Sequence, residues 1–366
     1  MAQSTNSKLI DLVGHHFSTR EQERTGEDGR TIFHEAAASQ QLSKIPRAYL
    51  TAKNILNKDL HGKTVGQLAA EAGTFHIIPE HLIRVCLQEQ DDTGNTPLHK
   101  ICKEDWLNLP KCIVSSITPQ EILNPDNRGI TPLHNAAKRG FLNLLPQRLV
   151  TKIGLSTAAI NGETPMHLAA SMGHFTQIPA WAITYRNLNT RDREGYIPIH
   201  YLVRGKEIKS VPKEFLTMDS ITAETKTGIQ PLHIAAQFGT LKYLPKELLT
   251  TKTLLAQDIH GWTPLHAAAY HGHIHQIPRQ SLTEQALLAT SYSKPGSLEQ
   301  DIFDIDILHT SPLQILKDQQ HLDQILGIEL SEAAEPIVGA KWYTKNKEII
   351  SHNIPPVPNE SEMDIF

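Results

Sequence analysis

Cysteine is scarce: Cys86, Cys102 and Cys112 are the only three in 366 residues. Their number is odd and their spacing fits neither a metal site nor a redox pair, which points to a reducing compartment and to three core thiols. An excess of one charge is also lacking, since 35 Lys and Arg stand against 39 Asp and Glu for a formal net charge of −4. Without a polybasic field, neither nucleic acid nor an anionic membrane is an expected partner. Long apolar runs are missing too. Leu9 to Val13 is broken by Asp11 and followed by His15 and His16. Nothing approaches the roughly 18 apolar residues of a membrane span, and no secretory signal is read. Catalytic signatures are absent as well: there is no Gly-x-Ser-x-Gly elbow, no phosphate loop and no His-Glu-x-x-His.

What is present is repetition. Gly261-Trp262-Thr263-Pro264-Leu265-His266-Ala267-Ala268-Ala269-Tyr270-His271-Gly272 recurs in edited form along most of the chain. Gly261 suits a tight turn, Thr263 a helix cap and Pro264 the first helical position, where a missing N–H costs nothing. His266 falls third in the helix. A capping box puts a side chain there to reach back to the cap, so Thr263 and His266 are expected to lock each other. The turn glycines are Gly29, Gly62, Gly94, Gly129, Gly162, Gly195, Gly228 and Gly261, in steps of 33, 32, 35, 33, 33, 33 and 33. Five residues after each stand His34, Gln67, His99, His134, His167, His200, His233 and His266. Asp59, Asp91, Asp126, Asp192 and Asp258 precede the turns, where an aspartate closes the turn through its own backbone.

A second marker is proline, at positions 46, 79, 110, 146, 179, 212, 245 and 278, mostly as Ile-Pro or Leu-Pro. Inside a helix each would cost about 3 kcal/mol, so each is expected to start a short second helix such as Pro245–Leu249. The residues between Gly239 and Pro245 would form a turn, with 3₁₀ character, that tucks Leu241 and Leu244 inward. Residues 1–27 read as a polar capping segment and 28–285 as eight repeats. Residues 286–330 read as an insertion plus a degenerate ninth repeat around Ser311-Pro312-Leu313, with His309 in the glycine place and Gln314 in the histidine place. In 331–366, Lys341-Trp342-Tyr343 can dock on the cap, and the acidic, proline-containing end from Pro355 is expected to be disordered.

Thr96-Pro97-Leu98-His99, Thr131-Pro132-Leu133-His134, Thr164-Pro165-Met166-His167, Pro231-Leu232-His233 and Thr263-Pro264-Leu265-His266, at this period, resemble ankyrin repeats. The resemblance covers about 26–285 and, more weakly, 304–326. It implies an all-α, ankyrin-type α-solenoid of stacked helix-turn-helix repeats joined by turns or short β-hairpins, which generally binds proteins. The prolines depart from the family pattern, so the second helix should be short. Thr64-Val65-Gly66-Gln67 in repeat two, and Ile197 and Gln230 in the cap places of repeats six and seven, should loosen those repeats locally.

The residues that the repeat does not dictate carry the functional reading. The resemblance implies that the residues around the turn tip and at the end of the first helix face the concave side. There this chain places Arg193, Tyr196, Arg204, Ile229, Phe238, Ile259, Trp262, Tyr270 and His271, an apolar and aromatic stripe with the composition of a binding hot spot. The competing expectation is that Leu287 to Phe303 folds back over it. The cap histidines read as structural, and His271, His273 and His275 as loop residues rather than a zinc site. The expectation is a monomeric, non-enzymatic, cytoplasmic scaffold with a protein partner and no cofactor or metal. Proline-interrupted units of this kind would also fit a bacterial protein delivered into a host cell. The alternative is a small enzyme or metal-dependent regulator carried by the C-terminal region and the three histidines.

Overall fold

The computed structural model describes residues 19–290 and 310–353. Among them the chain is helical without a strand, apart from one isolated antiparallel bridge between Lys58 and Thr64. The joints between repeats are therefore turns, and the short β-hairpins offered as an alternative do not form there. Two compact units are present, Met1–Arg193 and Glu194–Phe366, and in each the repeats stack as an all-α solenoid.

The turn is built from one carboxylate. Oδ1 of Asp59, Asp91, Asp126 and Asp258 accepts from the backbone N–H groups two and four residues on, at 2.8–3.0 Å. Thr225 does the same with its hydroxyl, accepting from Ile229 N at 3.1 Å. Each turn also donates one backbone N–H to the turn before it, as from Leu60 to Asp28 O, Ile160 to Arg128 O and Ile259 to Thr227 O. Two residues past the turn glycine comes the cap, then a helix such as Pro132–Arg139, Pro231–Phe238 or Pro264–Tyr270.

In repeats two and three the expected short helix follows the proline, as Glu80–Cys86 and Lys111–Ser116, but in repeat seven the second half differs from it. Leu241–Tyr243 is indeed a 3₁₀ turn with Leu241 and Leu244 buried. Pro245, however, lies outside the helix as its cap residue, at φ −57° and ψ 128°, and is followed only by a 3₁₀ turn, Lys246–Leu248. Residues before proline are driven to extended backbone, as Leu244 is at ψ 152°. Two consecutive extended residues cannot lie inside a helix. The chain then adds a single α-turn, Thr251–Leu254, whose cap Thr250 accepts from Thr253 N. Thr51, Thr184, Thr217 and Thr283 cap the same turn in their repeats, and threonine stands five residues after proline in six of the eight repeats. Turns this short are unstable alone. Each is held by burying an aliphatic side chain, Leu241, Leu244, Leu249 and Leu254 in repeat seven and Ile274, Ile277, Leu282 and Leu287 in repeat eight, at about 2 kcal/mol apiece.

Side chains from one repeat cap the 3₁₀ turns of its neighbour. Gln276 accepts from Lys242 N and Gln324 from His275 N, both at 3.2 Å. Asp105, fully buried, does this for His76 N and also pairs with its ring at 2.8 Å. Repeat three, where the first helix stops after Pro97–Lys100, is braced from repeat four. Arg139 donates to Lys100 O at 2.6 Å and Ile101 O at 3.2 Å, so this residue at the end of its helix is a brace. Arg148 donates to the carbonyls of Val114, Ser115 and Ile117 at the end of Lys111–Ser116.

At the N-terminal end, the helix Thr19–Glu23 meets repeat one through Lys53 and Glu23 at 2.7 Å. The degenerate ninth repeat holds the helix Pro312–Asp318, capped by Ser311. Ala340–Asn353 covers it through buried Tyr343, which donates to Leu330 O, and buried Asn346, which donates to Ile328 O at 2.8 Å. The tail from Pro355, His309 and most of the 286–308 insertion lie outside the described residues; Glu284–Leu288 is the last turn of repeat eight.

Gly239 and Gly173 test this packing. Both have positive φ, but a Cβ on Gly239 would lie 2.7 Å from the His273 ring and one on Gly173 would meet nothing. Gly173→Ala is expected to cost about 1 kcal/mol in urea unfolding, and Gly239→Ala roughly 1–3 kcal/mol more. Arg148→Ala should cost about 1–2 kcal/mol in the same measurement, with no rescue by Arg148→Lys, because a point charge cannot serve three carbonyls.

Candidate protein-binding face

The cap is the scaffold on which the face is displayed. Nδ1 of His34, His99, His134, His167, His200 and His233 accepts from the backbone N–H of its own cap residue at 3.0–3.2 Å. Nε2 is thereby the protonated nitrogen. It donates into the next repeat, from His34 to Lys63 O, His99 to Ile130 O, His134 to Glu163 O, His200 to Ile229 O, His233 to Trp262 O and His266 to Thr310 O, at 3.1–3.3 Å. The expected loosening of repeats two, six and seven does not occur. Gln67 accepts from Thr64 N and donates to Asn95 O, each at 2.7 Å, and His200 and His233 keep their backbone partners although Ile197 and Gln230 replace threonine.

The stripe residues lie over this frame. In the second unit, Tyr196 and Trp262 occupy the same place after the turn glycine, and each ring lies 5.2 Å from its own cap imidazole, His200 and His266. Trp262 is edge-on to Tyr270 at 6.4 Å, and Tyr270 to His271 at 5.1 Å. Tyr196 also meets Tyr201 at 5.7 Å, a residue that the sequence reading omitted although it directly follows the cap histidine. Arg204 places its guanidinium 5.3 Å over the ring of Phe238, which is 44% exposed. Ile229 and Ile259 are half-buried and His271 is exposed. Their neighbours in the turn are tied down, since Trp262 N donates to Asp258 and Ile259 N to Thr227 O. Arg193 is exposed and belongs to the first unit.

The three consecutive histidines of repeat eight have separate tasks. His273 donates through Nδ1 to Ala236 O at 2.9 Å and lies against Gly239. His321 lies against Gly272 in the same way. This is a second recurrent histidine role, marked in the sequence by position after the helix-ending glycine. His275 faces Gln324, while burial and then the neighbouring His273 lower the pKa of His271. Among the described residues no three His, Cys, Asp or Glu side chains group to hold a metal ion.

The thiols correct the expectation of three core cysteines. Only Cys86 is buried, and burial pushes its pKa up to about 12. Cys102 is half-buried and Cys112 is exposed, with its thiol 2.6 Å from Glu80, whose carboxylate raises its pKa. Such shifts disfavour the nucleophilic thiolate. No helix among the described residues is long and apolar enough to cross a membrane.

Comparison with known proteins agrees with the geometry. Residues 210–277 match the family model described as ankyrin repeats, three copies, and no curated protein matches the chain. The matched span includes the helix Pro231–Phe238, the cap bridge from His233 to Trp262 O and the turn of Asp258. Ankyrin repeats generally mediate protein–protein interaction and are typically non-enzymatic. From repeat period, cap geometry and family match together, the chain carries ankyrin repeats, matched at residues 210–277.

Proposed function

We propose that the chain is a monomeric, non-enzymatic scaffold of a reducing compartment, whose second compact unit binds a protein partner. The contact surface is the stripe of Tyr196, Arg204, Ile229, Phe238, Ile259, Trp262, Tyr270 and His271, all within that unit. The observation that carries this reading is Phe238. A large ring, 44% exposed with an arginine over its face, contributes little to the fold it sits on, whereas at an interface aromatic and arginine side chains supply most of the binding energy. Trp262 and Tyr270 extend the same chemistry, each an amphipathic ring with few rotamers to lose on binding.

The double variant Arg204→Ala, Phe238→Ala should keep the wild-type urea midpoint within about 0.5 kcal/mol and lose a partner that wild type captures. Lys252→Ala, exposed on the second half of its repeat, should retain that partner. Equal capture by all three proteins would place the contact elsewhere. The metal-dependent alternative separates from this by metal analysis. His273→Ala is expected to lower stability by about 1 kcal/mol through its lost hydrogen bond, and chelator should leave the wild-type midpoint unchanged. Stoichiometric zinc that disappears in His273→Ala would favour the metal-dependent reading.

A further inference from the structure

We propose that the cap histidines make the repeat stack acid-sensitive: a proton on Nδ1 cancels the backbone bond that caps each histidine's own helix, in the repeats of His34, His99, His134, His167, His200 and His233 but not at Gln67. The geometry is specific about which bond fails. Nδ1 of His34, His99, His134 and His233 accepts a backbone N–H, and in the first three it also lies 2.8–3.0 Å from the cap threonine hydroxyl. An imidazolium has no acceptor, so the bond from the backbone N–H is lost, and where threonine is the cap its hydroxyl can only turn to accept from the new N–H. The Nε2 bond to the next repeat needs only a donor and survives protonation. Acid therefore acts on the cap, in several repeats at once.

The surroundings oppose the charge more than they favour it. All four rings are buried. Facing His34 are Arg30 and Asp59; facing His99, Lys100 and Asp126; facing His134, Asp126 and Glu163. His233 faces His200 and His266, with Asp258 in the adjoining turn. The carboxylates of Asp59, Asp126 and Asp258 are engaged by their own turn N–H groups. Burial outweighs them all, lowering His34 and His99 and holding His134 and His233 at about 4. A pKa lowered by folding means that the unfolded chain binds more protons between about 4 and the ordinary 6.5. The stabilisation is complete above 6.5 and declines as pH falls towards 4. For one such histidine the unfolding constant rises roughly twentyfold between pH 7 and pH 5.

Gln67 supplies the control, because its amide makes both bonds without titrating. Urea unfolding of the full chain, followed by helical circular dichroism from pH 7.5 to 4.0, compares wild type with His134→Gln and Gln67→His. His134→Gln is expected to lose about twentyfold less in its unfolding constant between pH 7 and 5, and Gln67→His about twentyfold more. Acid unfolding driven by carboxylates alone would give the three proteins one common pH dependence, and that result overturns the proposal. Long-range nitrogen–proton correlation spectra of the wild-type imidazoles at pH 7 provide a readout independent of either variant's folding. Protonation on Nε2 is expected, and protonation on Nδ1 would overturn it.

Discussion

The structure depends on one side chain serving two repeats. A helix of seven or eight residues cannot persist alone, because nucleation fixes several residues for each hydrogen bond gained. Here the cap histidine closes the start of its own helix with one ring nitrogen and reaches the following repeat with the other, as His134 does between Thr131 N and Glu163 O. Local capping and long-range stacking are thus a single act, and a repeat without a neighbour lacks half of it. The two nitrogens have opposite roles, so the neutral ring in one tautomer is required. That explains how glutamine can replace it at position 67, since an amide also offers one acceptor and one donor.

The same economy decides which residues are left for binding. Histidines, turn aspartates and helix-ending glycines are committed within or between repeats, and so are some of the residues beside them. Arg139 is held on the carbonyls of repeat three, and His273 on Ala236 O. Arg204 lies over the ring of Phe238, which is 44% exposed. Trp262 is intermediate: its backbone closes the turn and receives His233, while its ring spreads over His266 towards Tyr270. An interface built on these rings rests on a frame that the cap network already holds rigid, which limits the entropy lost on binding.

The second half of each repeat shows how little regular structure a solenoid needs. Ile-Pro and Leu-Pro forbid a continuous helix; repeats two and three still form a short helix after the proline, whereas repeat seven has single turns separated by extended residues, each anchored by one buried aliphatic side chain. Threonine caps and side chains from the adjacent repeat, such as Gln276 and Gln324, satisfy the N–H groups that a longer helix would have bonded internally.

Period, turn, cap and helix were legible in the sequence because each is encoded by residues within about ten positions: a glycine for positive φ, an aspartate for the turn, Thr-Pro-Leu-His for the helix start. The 3₁₀ turn before Pro245 was legible for the same reason, and the threonine five residues after proline carried a local signal as well. The aromatic stripe could be named only as a set of positions. Tertiary structure alone decided that Nε2 of the cap histidine lands on a carbonyl of the next repeat, that Asp105 and Arg148 brace neighbours, that Cys112 is exposed, and that Arg204 lies over Phe238. These contacts join residues about thirty positions apart. Their geometry depends on how repeats stack, which follows from the packing of many side chains together and not from any one local pattern.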